Sequence, residues 1–457
     1  MEILRDLGVS HEQSHRDSLQ PVLDLSAGML EKRFQATIKA IQDKIPVIYQ
    51  PVFITGAPFS SDATIIGIPD FLIFNGDGYI IRDCKISRTI DESRHPEIIK
   101  QMCLYGWLYE RVIGQSPISL EVFSGQKEII SLDFIMGQDA LADLEEIYKI
   151  QTNGFNGYEP VGWSKCSSCP YFNHCWNIAV RNRDSAILPG VDQGLARTLV
   201  NQGITTYDDL LKRYTEETLY YLQRPWGNGQ QMVGKSARSI LSHAKAFQEN
   251  KIIKLSNPRI PNSNYCVMFD IEGLPPQLDD TEKIYLWGLM LCNPPKVEVF
   301  QPLAGFGPDG DKHGWDDFLQ TAQSIFNTYG DIPYVHWHSY EKAKIKLYID
   351  RYGDNSGIAA RILENLCDLH SITKTSVVMP EPSYSIKVIE KRVGYQRTMD
   401  DYGGRWSMAQ YIKAVETEDQ SLRQQMIDKI LVYNREDLEA TWAVLQWLHK
   451  ICKTPPI

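Results

Sequence analysis

The chain has no apolar run approaching the roughly twenty residues that a membrane-spanning helix needs, and Met1-Glu2-Ile3-Leu4-Arg5 begins no secretory signal. Both absences point to a cytoplasmic protein without a membrane partner. Positive charge is also short: 47 lysines and arginines against 57 acids leave a formal net charge of -10. That excludes a broadly basic coat, so any grip on phosphates falls to bound metal or to local patches. Arg82/Lys85/Arg88, Arg181/Arg183 and Lys235/Arg238 are the candidate patches. Nine cysteines in such a compartment are metal ligands or core residues rather than disulfides. A length of 457 residues gives a prior of about three domains.

What is present begins with two carboxylates and an amine. Isoleucine-rich sequence leads into Ile68-Pro69-Asp70-Phe71, and a second apolar run, Tyr79-Ile80-Ile81, delivers Arg82-Asp83-Cys84-Lys85. Side chains alternate across a strand, so Asp83 and Lys85 share a face and Cys84 takes the other. A hairpin brings Asp70 beside them. Such a group holds a hard divalent cation on oxygen, Mg2+ or Mn2+, and leaves the lysine to orient or deprotonate a water for attack on phosphorus. From His95-Pro96 the spacing of Ile98, Met102, Tyr105, Tyr109 and Val112 predicts a helix, with Gln101 and Tyr105 one turn apart on a single face.

The order P-D, D-x-K, Q-x-x-x-Y resembles the PD-(D/E)xK nuclease superfamily, and within it the RecB-like branch. The resemblance implies a restriction-endonuclease-like mixed sheet flanked by helices and metal-dependent cleavage of DNA phosphodiesters, with Asp70, Asp83, Lys85, Gln101 and Tyr105 catalytic. It also implies a metal-ligating histidine in a G-x-x-H-E type segment, which Gly8-Val9-Ser10-His11-Glu12 matches, making His11 a candidate ligand.

Three cysteines cluster as Cys166-Ser-Ser-Cys169-Pro-Tyr-Phe-Asn-His-Cys175 between Trp163 and Trp176. Soft thiolates at this density select zinc or an iron-sulfur centre. In the iron-sulfur subset of RecB-like nucleases a similar triplet closes a [4Fe-4S] cluster with a fourth cysteine from far upstream, and no cysteine precedes Cys84 here. Three explanations stand: an N-terminal helix carrying that cysteine belongs ahead of Met1, His174 or another ligand completes the site, or the cluster is absent. The first is preferred.

After Arg183 the character changes. Leu188-Pro189-Gly190-Val191, then Ala196, Leu199 and Gly203-Ile204-Thr205-Thr206-Tyr207, predict two short helices with Gly190 and Gly203 at turns and Thr206 capping the second. The pattern resembles a helix-hairpin-helix module, whose backbone amides contact phosphates without reading sequence; Gly190, Gly203 and Lys235 are its candidate nucleic-acid contacts. Gly229-Gln-Gln-Met-Val-Gly234-Lys235-Ser236 also satisfies the phosphate-loop pattern. A phosphate loop should leave a buried hydrophobic strand, yet Tyr220 to Trp226 is polar and broken by Pro225, so a P-loop ATPase or recombinase-like protein is the alternative reading.

A second acidic centre lies in the last two hundred or so residues of the chain. Cys266-Val267-Met268-Phe269-Asp270-Ile271-Glu272 is an apolar strand with Asp270 and Glu272 on one face, and Tyr433 and Asp437 fall one turn apart in a helical pattern. D-x-E followed by Y-x-x-x-D resembles the tyrosine subclass of DEDD exonucleases, and Tyr334 to Lys342 and Pro382 to Lys387 are similar to the ribonuclease H-like domain of the YprB group. That resemblance implies 3'-to-5' cleavage, with Asp270, Glu272, Glu341, Tyr433 and Asp437 catalytic and Asp270, Glu272 and Asp437 on the metal. Where the family places an aspartate in its middle motif, Glu341 is the nearest candidate here.

The expected architecture is α/β and multi-domain: a PD-(D/E)xK core with the cysteine cluster over residues 1–183, a helical helix-hairpin-helix-like linker over 184–252, and a ribonuclease H-like domain over 253–457. The expected function is metal-dependent hydrolysis of nucleic acid, with DNA bearing a free end as partner and substrate. A catalytically inactive DNA-end-binding protein is a further alternative.

Overall fold

The computed structural model describes residues 2–87, 90–91, 95–132, 134, 137–152, 154, 157–227, 229–275, 282–293, 296–304, 310–399 and 403–453. The chain divides into two compact units, one formed chiefly by residues 1–155 and the other chiefly by residues 156–457.

The first unit is built on a six-stranded mixed sheet in the order Leu23–Asp24, Val47–Tyr49, Phe71–Phe74, Tyr79–Cys84, Leu120–Phe123, Ile129–Leu132. Phe71–Phe74 and Tyr79–Cys84 form the expected hairpin, with Phe71 opposite Arg82. Tyr79–Cys84 runs parallel to Leu120–Phe123, and parallel neighbours need a crossover. The helix Pro96–Ile113 supplies it. Pro96 opens this helix where its missing N–H costs nothing, and Gly114 ends it at φ 79°, a left-handed conformation that glycine takes without strain. Ile98, Met102, Leu108 and Tyr109 of the helix pack with Ile48, Leu72, Ile81, Leu120 and Val122 of the sheet. This core holds the end of Tyr79–Cys84 rigid.

In the second unit the cysteine segment and the helical segment share one hydrophobic cluster, in which Cys166 and Trp176 pack with Ile187, Leu195, Leu199, Tyr207 and Ile240. Asp192 caps the helix Gln193–Asn201 through the Leu195 N–H, and Thr206 caps Tyr207–Arg213 through the Asp209 N–H. Gly190 and Gly203 take φ 90° and 76° at the two turns. Gly229–Met232 is no phosphate loop. It is an exposed strand paired antiparallel with Gln223–Trp226, a two-stranded ribbon that tolerates Pro225 because it lies outside any larger sheet. Among the described residues the buried hydrophobic strand that a phosphate loop requires is absent before Gly229, as the polar, proline-broken sequence implies; the short strand that forms there is largely exposed.

The rest of the second unit is a five-stranded sheet in the order Lys296–Ala304, Lys283–Asn293, Cys266–Leu274, Tyr334–His336, Leu366–Asp368. In chain order this is third, second, first, fourth, fifth. The pair on the far side of the first strand is antiparallel, and the first, fourth and fifth run parallel. The central strand alternates cleanly: Val267, Phe269 and Ile271 enter one core with Trp287, Phe318 and Ile345. Cys266 and Met268 enter another with Leu438, Val444 and Leu445 of the long helix Gln420–Cys452. Asp270 and Glu272 continue this second face past its apolar end, so the helix that covers Met268 also brings Asp437 to them.

Candidate active sites

In the first unit the hairpin register carries Asp70 opposite Asp83, and the Asp70 carboxylate accepts from the Cys84 N–H at 2.7 Å. Lys85 places its ammonium on the Asp83 carboxylate, as two residues on one strand face should, while Cys84 packs with Tyr49 and Phe71 on the other. Gln101 donates to the Tyr105 hydroxyl at 2.8 Å, and that hydroxyl donates to the Ile68 carbonyl at 3.2 Å. The helix therefore locks the turn that presents Asp70. Burial raises the Asp70 carboxyl to about 8, helped by the charges of Asp83 and Glu12. Burial raises Asp83 as well, against the opposing pull of Lys85.

Glu12 belongs to this site and was not singled out in the sequence, although it lies in the segment that named His11. Its carboxylate accepts from the Tyr49 hydroxyl at 2.7 Å and from the Gln50 amide at 3.0 Å, and its charge acts on both aspartates. His11, one residue earlier on the helix Glu2–Ser18, instead lies 3.3 Å from the Phe123 carbonyl oxygen with its ring stacked on Phe123. Two residues of the basic patch expected here are already engaged. Arg82 is buried with its guanidinium 2.6 Å from Glu121, Lys85 is engaged with Asp83, and Arg88 lies outside the described residues.

In the second unit Asp270, Glu272 and Asp437 each turn a carboxylate oxygen to a common point, the three atoms within 4.8 Å of one another. Among the described residues no other three histidine, cysteine or acidic side chains meet so closely. Burial raises Asp270 well above the usual carboxylate range, and the charges of Asp437, Glu272 and Glu341 add to it. Glu341, in the first turn of the helix Tyr340–Tyr352, is buried, with its carboxylate 3.2 Å from Nδ1 of His336; burial raises its carboxyl too. Tyr433 is 5 % exposed. Burial and then the three acids push its phenol upward, so its hydroxyl stays a donor.

Two further side chains complete this centre. Asn434 donates its amide to Asp270 at 2.7 Å, and the strand Lys283–Asn293 makes room with Gly288, where a Cβ would stand 1.9 Å from the Asn434 side-chain oxygen. Arg397 places its guanidinium on Asp437 and on Glu390, the latter at 2.8 and 2.7 Å. Asn434 sits beside Tyr433 in the motif and was passed over; Arg397 lies in no motif.

Cys166 is buried and accepts from the Val161 N–H at 3.3 Å, Cys175 donates its thiol to the Gly157 carbonyl at 3.2 Å, and Cys169 is exposed, as is His174. Burial raises the Cys166 thiol, and Cys175 and Cys169 add to the rise. Lys235 is exposed at the start of the helix Ser236–Glu249, and Arg183 is paired with Asp208 at 2.7 Å.

Residues 2–176 match a family of the PD-(D/E)XK nuclease superfamily, and residues 267–449 match a family of the RNase_H superfamily. No curated protein and no solved structure matches the chain. No helix among the described residues is long and apolar enough to cross a membrane.

Proposed function

We propose that this chain, in which a PD-(D/E)XK nuclease superfamily domain precedes an RNase_H superfamily domain, processes DNA ends through two metal-dependent phosphodiester-hydrolysing centres, the first RecB-like and the second a 3'-to-5' exonuclease. The observation that carries the reading is the meeting of Asp270, Glu272 and Asp437 within 4.8 Å in a buried setting. Three oxygen donors suit Mg2+ or Mn2+, and so concentrated a negative charge calls for a cation. When bound, the ion supplies charge neutralisation at the phosphate and a more acidic water.

The chain's own groups do the rest. Asn434 fixes the rotamer of Asp270, Tyr433 keeps a phenolic proton to donate toward the attacking water or the phosphate, and His336 holds Glu341 at the edge of the cluster. In the first unit Asp70 and Asp83, with Glu12 behind them, form the cation-binding side. Lys85 is placed to orient or deprotonate a water once a cation competes with it for Asp83. Gln101 and Tyr105 hold the turn before Asp70.

The test uses end-labelled single-stranded and duplex DNA and RNA with Mn2+ or Mg2+. The wild-type chain should shorten DNA from an end, Asp83→Ala and Asp270→Ala should each remove part of the activity, and the double variant should remove all of it. Full activity in both single variants would sink the catalytic assignment.

Cys166, Cys169 and Cys175 supply soft thiolate donors, though their three sulfurs do not meet within 4.8 Å as the carboxylates of the second centre do, and we read them as ligands of an iron-sulfur centre in the manner of the RecB-like subset. Anaerobically purified protein is expected to absorb near ~400 nm and to carry iron. Colourless, zinc-bearing protein would replace this with a structural zinc site.

A further inference from the structure

We propose that Arg397 is a substrate-contacting residue of the second centre, whose guanidinium receives a phosphate oxygen of the bound strand beside Asp270, Glu272 and Asp437. The inference rests on reading those three acids as a hydrolytic metal centre, and it adds a recognition element that neither the D-x-E nor the Y-x-x-x-D motif contains.

Three observations support it. First, the guanidinium is fixed before any ligand arrives. Nε and one terminal nitrogen of Arg397 donate to the two oxygens of Glu390 at 2.8 and 2.7 Å, the planar fork arrangement that arginine is suited to. The residues that follow are pinned too. Glu436 accepts from the Thr398 N–H and hydroxyl, both at 2.6 Å, and from the Met399 N–H at 3.2 Å. Upstream, the Tyr395 hydroxyl donates to Glu439 at 2.9 Å. Three carboxylates on two helices, for a loop of a few residues, hold one side chain in one place.

Second, that place is the acidic cluster. The nitrogen that meets Glu390 also meets Asp437, the guanidinium lies 5.9 Å from the centre of the Tyr433 ring, and its charge acts on Asp270. Third, the anchoring leaves donors unused. The Arg397 side chain is only 8 % exposed, yet among the described residues its other terminal nitrogen, Nη1, is buried without an acceptor. An orphaned donor on a buried cation is costly unless an acceptor joins it. That nitrogen is free to donate a charge-assisted hydrogen bond to a phosphate oxygen. Structural neutralisation of Asp437 and Glu390 would use the two nitrogens already engaged and would leave no reason for a third to be buried empty.

The test separates phosphate contact from charge balance. A fluorescein-labelled oligothymidylate and the same strand with methylphosphonate at both terminal linkages are titrated with the full chain in Ca2+, and anisotropy is read. Wild-type protein should bind the charged strand about tenfold more tightly than the neutralised one, as expected for one charge-assisted contact. Arg397→Gln should bind both alike, Arg397→Lys should recover part of the discrimination, and Mn2+ affinity read by electron paramagnetic resonance should stay within about twofold of wild type. Arg397→Gln that still discriminates overturns the proposal. So does a variant that loses Mn2+ and discrimination together, since that is the signature of a supporting role. Failure of Asp270→Asn to weaken Mn2+ binding would instead remove the reading of the centre itself.

Discussion

Replacing Asp270 with asparagine should raise the thermal stability of the metal-free protein while reducing hydrolysis at the second centre by on the order of 10³, more than the ~10–100-fold that loss of an outer-sphere partner costs. The two effects share a cause. Asp270 is lifted first by burial and then by the charges of Asp437, Glu272 and Glu341, so without a cation its ionised form is unfavourable in the fold. Asparagine keeps the shape, removes the charge, and can still accept the Asn434 amide that now reaches Asp270 at 2.7 Å. Each kcal/mol of repulsion released should show as about 2–4 °C in the melting of a domain of this size. The same change removes an oxygen donor from the set within 4.8 Å, so the stabilisation that Mn2+ gives the wild type should shrink in the variant. Differential scanning calorimetry with and without Mn2+, beside the end-labelled assay, checks both. A variant that melts lower than wild type without metal, or that keeps its Mn2+ response, would show that Asp270 is not the charge-bearing ligand described.

Much of this centre was legible because its residues are tied to the periods of regular structure. Asp270 and Glu272 share a strand face by alternation, and Tyr433 and Asp437 share a helix face by the four-residue turn; the fold only had to bring strand and helix together. It does so through Met268 and Leu438, whose apolar contact on that face sets the depth at which the carboxylates meet. Gln101 and Tyr105 were legible on the same terms and are hydrogen bonded as their spacing predicts. Arg397 and Glu12 were not. Arg397 stands 40 positions before Asp437 in a loop with no period, and its meaning comes from Glu390 and Glu436 on two different helices. Glu12 and His11 are neighbours on a helix and therefore face about 100° apart, so a one-residue difference decides which of them meets the sheet end and which stacks on Phe123. A motif names the segment, and only packing chooses the side chain.

The first centre should show its charge state as an inverse dependence of stability on pH. The Asp70 carboxyl is raised to about 8 in the folded metal-free chain, by burial before the charges of Asp83 and Glu12, whereas an unfolded aspartate titrates near ~3.9. Between those values the folded state holds a proton that the unfolded chain has released. Its contribution is therefore complete at low pH and is lost as pH rises through the folded value. Asp83 shifts in the same direction, with Lys85 opposing, which widens the effect without reversing it. Comparing wild type with Asp70→Asn isolates the group. The melting-temperature difference, variant minus wild type, should grow from pH 5 to pH 8.5 in the presence of chelator. Adding Mn2+ at pH 8.5 should raise the wild type by more than it raises the variant, which keeps only the second centre's response, because at the first centre the cation takes the place that the proton held. Metal affinity of the wild type should accordingly rise across the same window, since each proton displaced at low pH competes with the ion. A wild-type chain whose stability climbs relative to Asp70→Asn as pH rises would mean that Asp70 is ionised throughout, stabilised by the Cys84 N–H and Lys85, and that the hairpin holds an ion pair rather than a proton awaiting a metal.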